Sequence, residues 1–473
     1  LALVLRLWVA TQLPGAQRPD EIFQTLEPAH RLWAGYGILA WEWHYGIRSW
    51  LFPDFLAGLM ALGGWLGLDA PGYLFLISLV LAGLSLGAVA VGIVMGWRHS
   101  RSVGALLCGV LCACWPTLIY LAPRTLTEAQ AGNVLIVAAG LASLLPRGAK
   151  AAERRRCALM CAAIGALLAV TFCLRIQLVP GILLVAAWAF RTSLRHGWLP
   201  LLGGGAVPLI ALGVSDTLSW GTPFQSVWKY FAFNFVSGGS NAYGVSSITW
   251  YIGTTSELWG AALLPVAICF CAGASRAPLL AWLAAVTLLS HSLIGHKEIS
   301  FIYAALPPVL IVAGIGTARM VLALPGILRP RVSQRWLLTA ATLFWMAVAA
   351  LSGEAALHTA MQQKIGLFPV WMEARRHADL CGIGIYRIPW ILTGGYAYLN
   401  RRVPIYSVLT PEALAVARPA LNYLVIERSL LGVAVPGYEE VKCSHDYCLV
   451  RNGPACSAIM PTLPVSSLEQ LGP

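Results

Sequence analysis

The chain has 473 residues, 58% of them hydrophobic and 11% charged, with a mean hydropathy of +0.72. A soluble domain carries roughly 25% charged residues, so this composition excludes one and describes an all-α polytopic membrane protein. The net charge of +12 does not point to nucleic acid, because the basic residues are segregated into short connectors.

A membrane-crossing helix needs about 20 apolar residues, and runs of that kind lie near 1–13, 72–96, 103–121, 127–146, 157–173, 176–190, 198–218, 257–274, 279–294, 299–323 and 336–353. They predict about 11 transmembrane helices. The first run is short and starts at Leu1 rather than Met, so it reads as a real but incomplete span, and a cleaved signal peptide fits it poorly. With the start inside, the inner connectors carry Arg98 and Arg101; Arg147, Lys150, Arg154, Arg155 and Arg156; Arg191 and Arg195; Arg276; and Arg329, Arg331 and Arg335. Glu153 is their one acid, as the positive-inside rule asks.

That orientation leaves three large outer segments, about 15–70, about 219–256 and everything after about 354. The domain division that follows is a membrane domain over 1–353 and an outer domain over 354–473. The tail is rich in Pro and Tyr, and strand patterns at Leu421–Ile426 and Tyr447–Val450 predict a small α+β domain. Eight cysteines fall within spans and read as small buried hydrophobes. Cys381, Cys443, Cys448 and Cys456 fall in the tail, where an even number permits one or two disulfides, with zinc the weaker alternative.

The first outer segment is the most chemically dense. Pro19 suits the opening position of a helix, which puts Asp20 and Glu21 in its first turn, where the helix dipole favours acids. Gln24 follows one turn after Asp20, and Glu27 and His30 recur along the same segment. Trp41-Glu42-Trp43 and Arg48 come next; indole faces suit sugar C–H patches, and carboxylates suit hydroxyls. An interfacial aromatic belt is the plainer account of the tryptophans, but a belt does not require Glu42.

Further on, Arg124 and Glu128 bracket an outer connector, and Arg175 is another outer-end cation. The 219–256 segment mixes aromatic and amide groups, suited equally to an acceptor wall and to an interfacial segment. His296-Lys297-Glu298 then interrupts two apolar helices, a costly placement that argues for function over a snorkelling anchor.

These motifs resemble glycosyltransferase family 22, the polytopic mannosyltransferases that include enzymes of N-glycan precursor and GPI-anchor assembly. The resemblance rests on Pro19-Asp20-Glu21, Phe23-Gln24, Glu27-Pro28-Ala29-His30, Trp41-Glu42-Trp43, Arg48-Ser49 and His296-Lys297-Glu298. Two positions depart from the family pattern: Arg18 replaces a histidine, and Ser300 stands where an arginine is usual. The resemblance implies a GT-C fold, a polyprenyl-phosphate mannose donor, a glycan or glycolipid acceptor, no cofactor or metal, and an active site on the periplasmic or lumenal face of a bacterial inner membrane or endoplasmic reticulum membrane. It also implies an inverting single displacement yielding an α-linkage.

Such chemistry needs one base and one or two cations. Asp20 is the expected general base, with Glu21 second or orienting it. His296 and Lys297 are expected at the departing phosphate, with Arg48 or Arg124 as a further contact and Glu298 orienting Lys297. Gln24, Glu27, His30, Trp41, Glu42 and Trp43 are expected at the sugars. Two other classes compete: a polyprenyl-linked sugar transporter, which should place polar groups at mid-bilayer in broken helices, and a catalytically silent scaffold.

Overall fold

A computed structural model describes the chain except for residues 13–15, 17, 147–152, 193–196, 329–332, 363–366, 433, 434, 436, 454, 455 and 458–473. Arg147, Lys150, Arg195, Arg329 and Arg331 of the basic connectors therefore lie outside the described residues. The chain divides into two compact units: Leu1–Val9 with Ser78–His358, and Ala10–Ile77 with Thr359–Pro473.

The first unit is helical. Among the described residues, six helices are long and apolar enough to cross a membrane: Ala70–Cys114, Arg154–Leu174, Trp198–Trp220, Trp250–Ala274, Ile299–Leu324 and Gln334–Ser352. Four shorter apolar helices, Ala2–Gln12, Leu51–Trp65, Ile176–Arg191 and Pro278–Ser292, accompany them in the chain. Small residues set how closely these helices pack. A methyl group on Gly165 would overlap the Leu201 carbonyl, one on Gly204 the Ala162 carbonyl, and one on Gly316 the Cys269 carbonyl. Apolar helices in lipid gain little from burying more apolar surface, so close backbone approach through glycine is what holds such pairs.

Two boundaries differ from the sequence expectation. The runs 72–96 and 103–121 form one helical segment, Ala70–Cys114, broken at Ser100 (φ −148°, ψ 24°) and Arg101 (φ 51°, ψ −138°). The chain reverses there, since Gly96 and Gly104 lie so close that a side chain on either would strike the other's carbonyl. The helix stops at Cys114 rather than 121, because Pro116 has no N–H to continue the ladder and holds Trp115 extended (φ −68°, ψ 124°). Pro116–Leu121 then restarts as a short separate helix.

The second unit is mixed. From the first outer segment it contains a π-helical turn at Ile22–Leu26, helices at Glu27–Ala34 and Trp41–Tyr45, and the unforeseen apolar helix Leu51–Trp65. From the tail it contains a five-stranded sheet of β1 (Ile383–Tyr386), β2 (Ile405–Val408), β3 (Tyr423–Glu427), β4 (Glu439–Ser444) and β5 (Tyr447–Arg451), in the order β2-β1-β3-β5-β4. Strands β1, β2 and β3 are parallel, and β5 runs antiparallel to β3 and β4. The two strand patterns read from sequence are β3 and β5, hydrogen-bonded with Leu424 opposite Val450. Disulfides join Cys381 to Cys456 and Cys443 to Cys448.

Candidate active site

In the mixed unit, the acidic loop enters its helix through one half of a capping box. The Glu21 carboxylate accepts from the Arg18 backbone N–H at 3.2 Å, three residues back, as the third residue of a helix does in a capping box. Glu21 is buried while Asp20, beside it in the first turn, keeps part of its surface open. The next turn, Ile22–Leu26, is π-helical, and the Thr25 hydroxyl donates to the Glu21 carbonyl within it. Wide turns of this kind recur at functional sites because they shift the side chains that follow.

Facing this turn is Glu42, from Trp41–Tyr45. Its carboxylate accepts from Gln24 Nε2 at 3.0 Å and lies 3.6 Å from the Arg48 guanidinium. Burial pushes the Glu42 carboxyl above the usual carboxylate range; Arg48 pulls it back, and the nearby negative charge of Asp20 pushes it further up. Asp20, Gln24, Glu42 and Arg48 thus form one cluster. Trp41 is half-buried at its margin. Trp43 is packed away, its indole N–H donating to the Phe23 carbonyl at 3.1 Å and its ring 4.4 Å from that of Trp50.

Glu27 and His30 are elsewhere. Both are fully buried. Glu27 accepts from the backbone N–H of Ile38 at 2.7 Å and of Ala397 at 2.5 Å, and burial raises its pKa to about 8 against the opposing pull of those amides. His30 contacts the Tyr36 carbonyl at 2.9 Å and Asn400 Oδ1 at 3.2 Å, and burial lowers its pKa. Gly395, at φ +55°, gives the Glu27 carboxyl its room, since a Cβ there would stand 2.5 Å from Glu27 Cδ. Expected at a sugar, the two side chains instead tie the first outer segment to the tail, and no surface of either faces solvent.

In the helical unit, His296-Lys297-Glu298 lies between Pro278–Ser292 and the 3₁₀ turn Ile299–Ala305. Lys297 is buried and donates to the backbone carbonyls of Ser246, at 3.2 Å, and Ile294. Glu298 does not orient it as expected: among the described residues Lys297 has no carboxylate within ion-pair distance, and Glu298 lies 3.7 Å from His296 Nε2. The His296 ring packs near Tyr243 and Phe301, and its Nδ1 meets the Gly244 carbonyl at 3.2 Å.

Arg124 is buried with its guanidinium 4.3 Å from the centre of the Tyr120 ring. Glu128, four residues on, pairs with Arg175, whose guanidinium also lies 5.6 Å from the Phe301 ring. Arg175 therefore links the 124–128 connector to the His-Lys-Glu segment. No spacing in the sequence announces this, because the three pieces come from three different stretches of chain.

The helical body and small sheet follow a known architecture. An ArnT structure from Cupriavidus metallidurans, described as bound to undecaprenyl phosphate, superposes with a TM-score of 0.60 over 97% of this chain and 98% of that one, at 12% identity. The fold is therefore the GT-C fold. The Alg9-like mannosyltransferase family matches residues 1–376, and the chain belongs to that family. It is similar to GPI mannosyltransferase 3 of Yarrowia lipolytica, 30% identical over 61% of this chain and 56% of that protein. It is also similar to GPI alpha-1,2-mannosyltransferase 3 of Xenopus laevis, 26% identical over 64% and 56%. The match thus spans about half the length of these relatives.

Proposed function

We propose that this protein is an inverting α-mannosyltransferase of the membrane, moving mannose from a polyprenyl-phosphate donor to a glycan or glycolipid acceptor. In this reading about 11 helices cross the bilayer. Residues 1–353 form the catalytic membrane domain and 354–473 an outer domain, and transfer takes place at the periplasmic or lumenal face.

The observation that carries the reading is the placement of Asp20: in the first turn of a capped helix, partly open, beside a second carboxyl that burial and Asp20 itself push towards protonation. Their unequal burial divides their work. Asp20, the more open of the two, takes the acceptor hydroxyl proton, while Glu42 with Gln24 and Trp41 contacts the sugar. Arg48 balances the pair, a change from its expected place at the phosphate. Glu21 holds the helix start, Trp43 supports the cluster from behind, and Glu27 and His30 are structural ties.

Departure of the phosphate calls for cations. His296, Lys297 and Arg124 fill that role, joined by Arg175 on the strength of its contact with Phe301. The sugar–phosphate bond breaks as the acceptor oxygen attacks from the opposite face, with no covalent sugar–enzyme intermediate.

The test is transfer by purified protein in lipid, with labelled polyprenyl-phosphate mannose and a panel of lipid-linked acceptors, wild type against Asp20→Asn. Loss of the base is expected to reduce turnover by about 100- to 10,000-fold. Wild-type turnover by a folded Asp20→Asn protein would show that Asp20 is not the base.

A further inference from the structure

The helical unit has a second group of cations, at the far ends of the helices that meet the Lys297 region. Pro278–Ser292 ends just before His296 and begins just after Arg276; its 15 residues separate the two by about 22 Å. Thr127–Leu144 begins beside Arg124 and has Ser143 in its last turn, and Val179–Thr192 leads away from Arg175 and has Trp188 near its end. Where these ends meet the chain reversal at Ser100 and Arg101, a cavity of about 380 Å³ opens, lined by Met95, Arg98, His99, Ser143, Trp188 and Arg276 among others.

The lining is cationic and apolar, with no Asp or Glu in it. Arg98 donates to the Ser143 carbonyl at 2.8 Å. The side chains of His99 and Arg276 have no hydrogen-bond partner among the described residues, although the charges of Arg98 and Arg276 both act on His99. Arg191 adds a further guanidinium, 4.9 Å from the centre of the Trp188 ring. Cations gathered so closely repel one another, and an anion in their midst relieves that repulsion. Ile93, Val94 and Trp97, on the turns leading into the reversal, are exposed apolar side chains that would lie against lipid tails.

We propose that this cavity holds the phosphate headgroup of an anionic glycerophospholipid, drawn from the leaflet opposite the Lys297 cluster. Guanidinium groups match phosphate oxygens in paired hydrogen bonds, and an apolar wall with an indole suits the glycerol and upper acyl chain of a lipid. Basic pockets between membrane helices recognise lipid phosphate in this way. A soluble anion would use the cations but gain nothing from the apolar wall.

The experiment reconstitutes the full chain in nanodiscs of phosphatidylcholine with a minor fraction of phosphatidylglycerol, and native mass spectrometry counts the lipids retained. Phosphatidylglycerol is expected to be enriched over its bulk fraction. The Arg98→Gln/Arg276→Gln double variant should lower that enrichment by roughly fivefold per arginine removed, and Arg98→Lys/Arg276→Lys should keep most of it. Arg154→Gln/Arg335→Gln removes as much charge outside the cavity and should leave the enrichment unchanged. The proposal is overturned if wild type shows no enrichment, if the outside pair lowers it as much as the cavity pair, or if inorganic phosphate displaces the lipid completely.

Discussion

Glu27 offers the sharpest physical prediction, because its surroundings determine both the size and the pH dependence of its effect. Its two carboxylate oxygens accept from two backbone amides, Ile38 N–H and Ala397 N–H. Glu27→Leu orphans both amides in a fully buried site, at about 1–3 kcal/mol each, so a loss of about 2–6 kcal/mol is expected. Glu27→Gln keeps one acceptor but turns an amide NH₂ toward the second donor, so the loss should fall to about 1–3 kcal/mol.

The pH dependence follows from the raised pKa. The carboxyl titrates near 8 when folded and near 4.5 in its ordinary state, so between those values the folded protein binds the proton that the unfolded chain has released. Its contribution to stability is complete below about 4.5 and is lost as pH rises toward 8, by up to about 1.4 kcal/mol per pH unit. Thermal unfolding in detergent between about pH 5 and 8, inside that window, measures the slope for wild type and Glu27→Gln. The reasoning fails if wild type shows no decline in stability across that window, or if Glu27→Gln declines as steeply. It fails equally if Glu27→Leu is as stable as wild type, for then the amides are satisfied in some other way.

Other consequences follow from the same structure. Arg48→Gln removes the charge that holds the Glu42 carboxyl down, so Glu42 titrates higher, and the acid limb of the transfer rate should move to higher pH; an unmoved limb would detach Arg48 from the reacting carboxyls. Lys297→Gln keeps a donor for the Ser246 carbonyl but loses the charge, and should raise KM for the lipid-phosphate donor with little change in melting temperature; an unchanged KM would remove Lys297 from the donor site. Gly204→Val places a branched side chain on the Ala162 carbonyl and should lower stability by about 1–3 kcal/mol, read as a fall in melting temperature, while Gly203→Val, facing open space, should not.

What the sequence made legible was whatever depends on local pattern. Hydropathy located the apolar helices other than Leu51–Trp65, strand patterns located β3 and β5, and Pro19-Asp20-Glu21 announced a helix start that the Glu21 cap bears out. What it hid depends on contacts between distant segments. Glu27 reads from its neighbours as one more polar residue in a reactive loop, and only the arrival of Ala397, 370 positions later, makes it a buried tie. Arg175 was featureless until Glu128 and Phe301 came to it from separate helices. The partner of Glu298 was misjudged for a related reason: adjacent residues in an extended stretch point apart, so Lys297 and Glu298 diverge while His296 and Glu298, two apart, share a side (Glu298 φ −132°, ψ 147°).

The capture of Lys297 by carbonyl oxygens connects the second outer segment to the chemistry proposed for the donor. A buried ammonium needs acceptors, and Ser246 and Ile294 supply neutral ones where an ion pair would have neutralised the charge. The positive charge therefore remains available, and a phosphate oxygen, whose charged hydrogen bonds are about twice as strong as neutral ones, competes well against either carbonyl. The stretch that supplies Ser246 is held to the same segment by two further links, the Ser246 amide to the Gly295 carbonyl at 2.9 Å and the Gly244 carbonyl to His296. Its outward side chains Tyr243, Val245 and Ile248 are exposed. If the donor phosphate binds Lys297 as proposed, its exchange for the Ser246 carbonyl would loosen one of three links and so couple donor binding to the position of residues 243–248 through a single ammonium group.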